Sequence, residues 1–165
     1  MASRVRRQLH RGAMKPSPHS RDIRAGRVSE PGRIYLITAV AWNRAPLFRD
    51  TALARRVSRI CHSPATWKDA TCLAWVLMPD HWHGLIELHD GDLSRVVGRY
   101  KAMVSSSIKR STGRKSPVWQ KSFQDRALRR DDDVKAAARY IVANPLRAGL
   151  VTRVGDYPYW NATWL

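Results

Sequence analysis

Met78-Pro79-Asp80-His81-Trp82-His83-Gly84-Leu85-Ile86-Glu87-Leu88 is the stretch on which the rest of the chain depends. An apolar run from Cys72 to Met78 enters a Pro79-Asp80 turn, and a second apolar run leaves it. That pattern predicts a β-hairpin with both histidines at the start of the returning strand. Side chains alternate between the two faces of a strand, so His81 and His83 share one face. Trp82, Gly84, Ile86 and Leu88 share the other. Two neutral imidazoles side by side suit one divalent metal ion with positions left open. The plainer alternative is a turn histidine beside one that satisfies a backbone group.

Working outward, the chain of 165 residues is long enough for one domain with its own core. Lys and Arg number 30 against 13 Asp and Glu, a formal net charge of +17. The first 30 residues contribute eight basic and two acidic side chains, and the remainder still holds 22 basic against 11 acidic. The body itself is therefore cationic, and a polyanion, nucleic acid before an anionic membrane surface, is the expected partner. No apolar run is long enough to span a bilayer, and none near the N-terminus reads as a signal peptide. Cys61 and Cys72 lack disulfide-framework spacing and read as small buried hydrophobes in a reducing cytoplasm.

Residues 1–30, rich in Arg and without an apolar period, read as a loose basic arm ahead of one domain over 31–165. Order is expected from Gly32, with a first strand over 33–42. Asp50 or Thr51 caps a first helix that ends near His62-Ser63-Pro64. A second helix runs over 93–111. Leu93, Val96, Val97, Tyr100, Val104 and Ile108 make its apolar stripe; Arg95, Arg99, Lys109 and Arg110 lie opposite. A wet face that is cationic suits a phosphate backbone, and Arg114 and Lys115 extend it; a merely solvated face is the simpler account. Residues 118–130 read as a fourth strand. Asp131-Asp132-Asp133 then opens a third helix, 133–144, with its carboxylates against the positive end of the dipole.

On that helix Tyr140 and Asn144, four apart, stand one above the other beside a core stripe of Val134, Ala138 and Ile141. Ala136 and Ala137 leave a clearing next to the phenol. A bonded, partly buried tyrosine and an asparagine cap would explain both residues without any chemistry. Strand-helix-strand-strand-helix-strand is the split βαβ order of an α+β, ferredoxin-like sandwich. It predicts a mainly antiparallel four-stranded sheet with the first two helices on one face, and an aromatic tail packed on the domain.

Taken in order, four segments resemble the single-tyrosine, His-hydrophobic-His (HUH endonuclease type) transposases of the IS200/IS605 group, and within it the REP-associated tyrosine transposases. They are Tyr35-Leu36-Ile37-Thr38, Trp75 to His83, Trp119-Gln120-Lys121-Ser122-Phe123, and Arg139 to Leu150. The resemblance covers roughly residues 32–165. It implies metal-dependent cleavage and joining of single-stranded DNA at hairpin-forming palindromes, and hence DNA transposition. His81 and His83 match its histidine metal ligands, Tyr140 its nucleophile and Asn144 its polar ligand one helical turn on. Asn rather than Gln at 144 matches the REP-associated branch. A monomer or weak homodimer, in a bacterial cytoplasm close to the nucleoid, is what the resemblance implies.

A site of two imidazoles and an amide oxygen suits turnover with Mg2+ or Mn2+, although two histidines hold Zn2+ or Ni2+ more tightly. The Tyr140 phenol, with an ordinary pKa of about 10, needs electrophilic help or a base to attack a phosphodiester. Its attack would leave a 5′-phosphotyrosine and a free 3′-hydroxyl. Glu87, which shares the parity of the histidines, is a candidate outer partner, and Asp125 and Arg126 are candidates to approach the site. Two other functions fit the same residues: a non-catalytic nucleic-acid binder, and a metal hydrolase that uses water.

Overall fold

The computed structural model describes residues 29–129 and 132–164. The basic arm expected over 1–30 lies outside them, Ser29 and Glu30 excepted, as does Asp131. Five strands, β1 (Ile34–Val40), β2 (Ala70–Met78), β3 (His81–Leu88), β4 (Gln124–Ala127) and β5 (Trp160–Ala162), form one antiparallel sheet in the order β4-β1-β3-β2-β5. The helices are α1 (Thr51–His62), α2 (Leu93–Thr112), α3 (Val134–Val142) and a single turn, α4 (Asn144–Arg147). The first four strands keep the ferredoxin-like α+β arrangement: β1-α1-β2 and β3-α2-β4 are interleaved crossovers that share a sheet.

Local chemistry sets the helix starts. Asp50, Asp92 and Asp133 each accept hydrogen bonds from backbone N–H groups at the start of α1, α2 and α3. Gly113 ends α2 in the left-handed region that a Cβ disfavours, at φ 68. The sheet is then covered on both faces. Alternate residues of β1, β2 and β3, among them Ile37, Trp75, Leu77, Trp82 and Ile86, pack against Leu53 and Val57 of α1 and Val96, Tyr100 and Val104 of α2. The other parity, with Ala74, Val76, Met78 and Leu85, packs against Ala138, Ile141 and Val142 of α3. The first two helices do share one face, as expected, and α3 takes the other.

Three features differ from the sequence expectation. The domain holds residues ahead of Gly32: the Ser29 hydroxyl donates to Asp92 and accepts from the Leu93 N–H. The fourth strand is only Gln124–Ala127, not 118–130. Ahead of it Trp119 makes a lone bridge to Ala41, and the Lys101 ammonium gathers the carbonyls of Gln120, Lys121 and Ser122. Those acceptors serve a cation rather than a ladder. The sheet also has a fifth strand: the tail adds β5 along β2, and the Tyr157 hydroxyl donates to the Leu77 carbonyl at 2.7 Å.

Candidate active site

Trp82 explains why both histidines face away from the main core. Its indole is fully buried in a triangle of rings, stacked with Trp67 and tilted against Tyr100 with centroids 6.0 and 4.4 Å away, and it lies back over Gly84. A Cβ at residue 84 would sit 2.0 Å from the indole, so only glycine allows that rotamer. With Trp82 anchored, His81 and His83 emerge on the α3 face, their rings in edge contact with centroids 4.7 Å apart.

Each imidazole is held by its Nδ1. That of His81 donates to the Asp80 carboxylate at 2.6 Å. That of His83 lies 2.8 Å from Oγ1 of Thr38, its cross-strand partner on β1. Oriented in this way, both rings leave Nε2 as the nitrogen available to a ligand. Burial, then the neighbouring His81, and more weakly the Arg147 charge hold His83 down to about 4, so its ring is neutral near pH 7. Asp80 sits below the usual carboxylate range; burial opposes this, but the His81 hydrogen bond and the charges of His81 and Arg44 outweigh it.

α3 brings Tyr140 to the same side of the sheet within the same chain. Ala138, Ile141 and Val142 are buried beneath it, and Tyr140, 59% exposed, stands off the flank. The alanine clearing is present as a cleft of about 550 Å3, lined by Ala136, Ala137, Tyr140, Leu36 and Arg126. Arg126, opposite Leu36 on β4, is therefore on the tyrosine's side, whereas Asp125 has the other parity. Glu87 does not orient the histidines: it pairs with Ile34 at the far end of β3, and Asp80 and Thr38 take that role.

Asn144 lies where the helix breaks. Its Nδ2 donates to the Ile141 carbonyl at 2.8 Å, and its Oδ1 accepts from Nη2 of Arg147, also at 2.8 Å. An amide oxygen has two acceptor sites, so one remains. The two oriented imidazoles fit a divalent ion, with that oxygen as the candidate third donor. Among the described residues no group of three or more His, Cys, Asp or Glu is placed to hold a metal.

The six cations singled out from sequence are placed differently. Arg95, Arg99, Lys109 and Arg110 belong to α2, on the opposite face of the sheet from the histidines. Arg99 is tied to Asp69 at 2.6 Å, with little of its guanidinium exposed. Arg114 and Lys115 lie in the turn after α2, and Arg114 donates to the Pro117 carbonyl. That turn returns to Val118 and Trp119, beside the end of β1 nearest Asp80. Lys109 and Lys115 line a shallow hollow there with Lys101 and Lys121.

The family model described as Transposase IS200 like matches residues 32–144. The chain belongs to the IS200-like transposases. A REP-associated tyrosine transposase of Escherichia coli (strain K12) is 31% identical over 86 residues, 52% of this chain and 50% of that protein. A protein of Haemophilus influenzae provisionally given the same name is 28% identical over 98 residues, 53% of this chain and 56% of its own. The chain thus spans about half the length of these curated relatives. The structure of a REP-associated tyrosine transposase bound to a REP hairpin superposes with a TM-score of 0.64 at 25% identity, covering 81% of this chain and 79% of that one. The His-hydrophobic-His hairpin of this family was legible in the sequence. Asp80, Thr38 and Arg147 as partners of the site were not, although all three stand inside the motifs that carry the resemblance. Among the described residues no helix is long and apolar enough to cross a membrane.

Proposed function

We propose that this transposase cleaves and rejoins single-stranded DNA at hairpin-forming palindromes of the REP type, with Tyr140 as the nucleophile. The observation that carries this is the placement of His81, His83, Tyr140 and Asn144 on one side of one sheet in one chain. The family match and the hairpin bound to the structural relative support the substrate class.

His81, His83 and Asn144 are the residues that would hold Mg2+ or Mn2+. Bound there, such an ion would neutralise charge on the scissile phosphate and favour departure of the 3′ oxygen. Tyr140, exposed beside an open cleft, is accessible to a backbone phosphate. Its oxygen bonds to phosphorus as the P–O3′ bond breaks; the phenol proton is lost to solvent and the 3′ oxygen gains one. The bond is conserved as a phosphotyrosine, so attack by a 3′-hydroxyl reverses the step and joins strands without another energy source. Thr38 and Asp80 hold the imidazoles in place through this exchange.

Labelled hairpin DNA with a single-stranded foot, incubated with the protein and Mn2+, should give a slowly migrating covalent adduct on a denaturing gel. Tyr140→Phe is expected to abolish the adduct and spare hairpin binding. Hydrolysis without an adduct would instead favour a water nucleophile, and binding alone a non-catalytic protein.

A further inference from the structure

The α3–α4 break puts the Tyr140 carbonyl in the last turn of its helix, where carbonyls lack helical partners. Arg147, from the turn of α4, supplies one: its Nη1 donates to that carbonyl at 2.9 Å. Its Nη2 donates to Oδ1 of Asn144, and its guanidinium lies 3.8 Å from the centre of the Tyr140 ring. One planar group thus touches the nucleophile's ring, the nucleophile's backbone and the candidate ligand.

We propose that Arg147 is the positioning residue of this site, locking Tyr140 and Asn144 into a single rigid unit. The inference rests on Tyr140 being the nucleophile. Bonding two acceptors through separate nitrogens while laying a flat face on a ring needs the planar fork of arginine; a lysine ammonium can gather several acceptors, as Lys101 does, but only around one nitrogen and without a planar face. Without Arg147 the phenol of an exposed tyrosine is free to sample other rotamers. The Asn144 oxygen loses the donor that aims it, while its Nδ2 stays tied to α3. Arg147 also differs from the surface cations in that both of its Nη atoms donate within the protein, to Tyr140 and Asn144.

The test uses the whole chain as wild type, Arg147→Ala and Arg147→Lys, with labelled hairpin DNA. Single-turnover adduct formation with Mn2+ should fall about 10²-fold in both variants, the scale of a misplaced reacting group. The hairpin Kd, measured without metal, should stay within a few-fold of wild type. A second readout needs neither DNA nor metal: in protein labelled with 3-fluorotyrosine, the 19F resonance assigned to position 140 by its loss in Tyr140→Phe should move in both variants. A wild-type chain that forms no adduct defeats the nucleophile reading, and this inference with it. A wild-type adduct matched in rate by Arg147→Ala overturns this inference alone. So does an unmoved 19F resonance, or a loss confined to Kd.

Discussion

The two faces of the sheet are built from alternate residues of the same strands, yet they differ in kind. On the α1 and α2 side, Trp82, Trp67 and Tyr100 stack with Ile86, Leu88 and Val104 in a layer that excludes water. On the α3 side the apolar packing stops part-way along β3: Leu85 is buried beneath α3, but the next two residues of its parity toward the turn are His83 and His81. Polar partners replace packing there, and the flank of α3 opens into the cleft at Tyr140. A closed face allows an open one beside it. The strand can present two imidazoles only because its intervening side chains are fixed underneath.

The largest effect should come from breaking the closed face. Gly84→Ala drives a methyl into the Trp82 indole, which has buried rings behind it and nowhere to move. A loss of about 3 kcal/mol, the upper part of the usual overpacking range, is expected in urea unfolding, with the histidines disturbed from the opposite side.

A smaller and pH-dependent loss belongs to the open face. His83 titrates at about 4 in the fold against about 6.5 when unfolded, so the unfolded chain binds the extra proton first. Its contribution is complete above pH 6.5 and is lost as pH falls through 4, amounting to about 2.5 kcal/mol between pH 7 and pH 4.5. Unfolding at pH 7 and pH 4.5 in EDTA should show this slope, and His83→Gln should flatten it. Asp80 and Asp69, held below the usual carboxylate range, lose their contributions only at lower pH, as each is protonated.

The smallest effect on the fold should be Asp80→Asn, which keeps the shape of the turn but weakens the acceptor for His81. Divalent-ion affinity measured calorimetrically should drop about 10-fold to 100-fold, while the unfolding midpoint changes little. A large loss of stability with unchanged metal affinity would make Asp80 a structural turn residue and narrow the contrast between the faces.

Much of this was legible because it is local. Two apolar runs around the Pro79-Asp80 turn gave the hairpin, the two-residue period of a strand gave the parity of the histidines, and aspartates before apolar periods marked the helix starts to within a residue or two. What escaped depends on distant partners. Trp160–Ala162 is too short to announce a strand and becomes one only because β2 offers a free edge. Residues 118–123 look extended, but a lysine from α2 claims the carbonyls of Gln120, Lys121 and Ser122. The cationic stripe of α2 is real as a pattern, yet nothing in its spacing shows that it faces away from the histidines, or that Asp69 holds Arg99.

By itself, then, the sequence named the residues proposed to carry the chemistry and the elements that bear them. Periodicity and capping act between neighbours, and each leaves its mark within a few positions. The tertiary structure decided which face α3 covers, which oxygen holds each imidazole, and that the Arg147 guanidinium caps the helix turn of Tyr140. Those outcomes come from packing and hydrogen bonding between segments far apart in the chain, whose free energies exist only once the sheet has assembled.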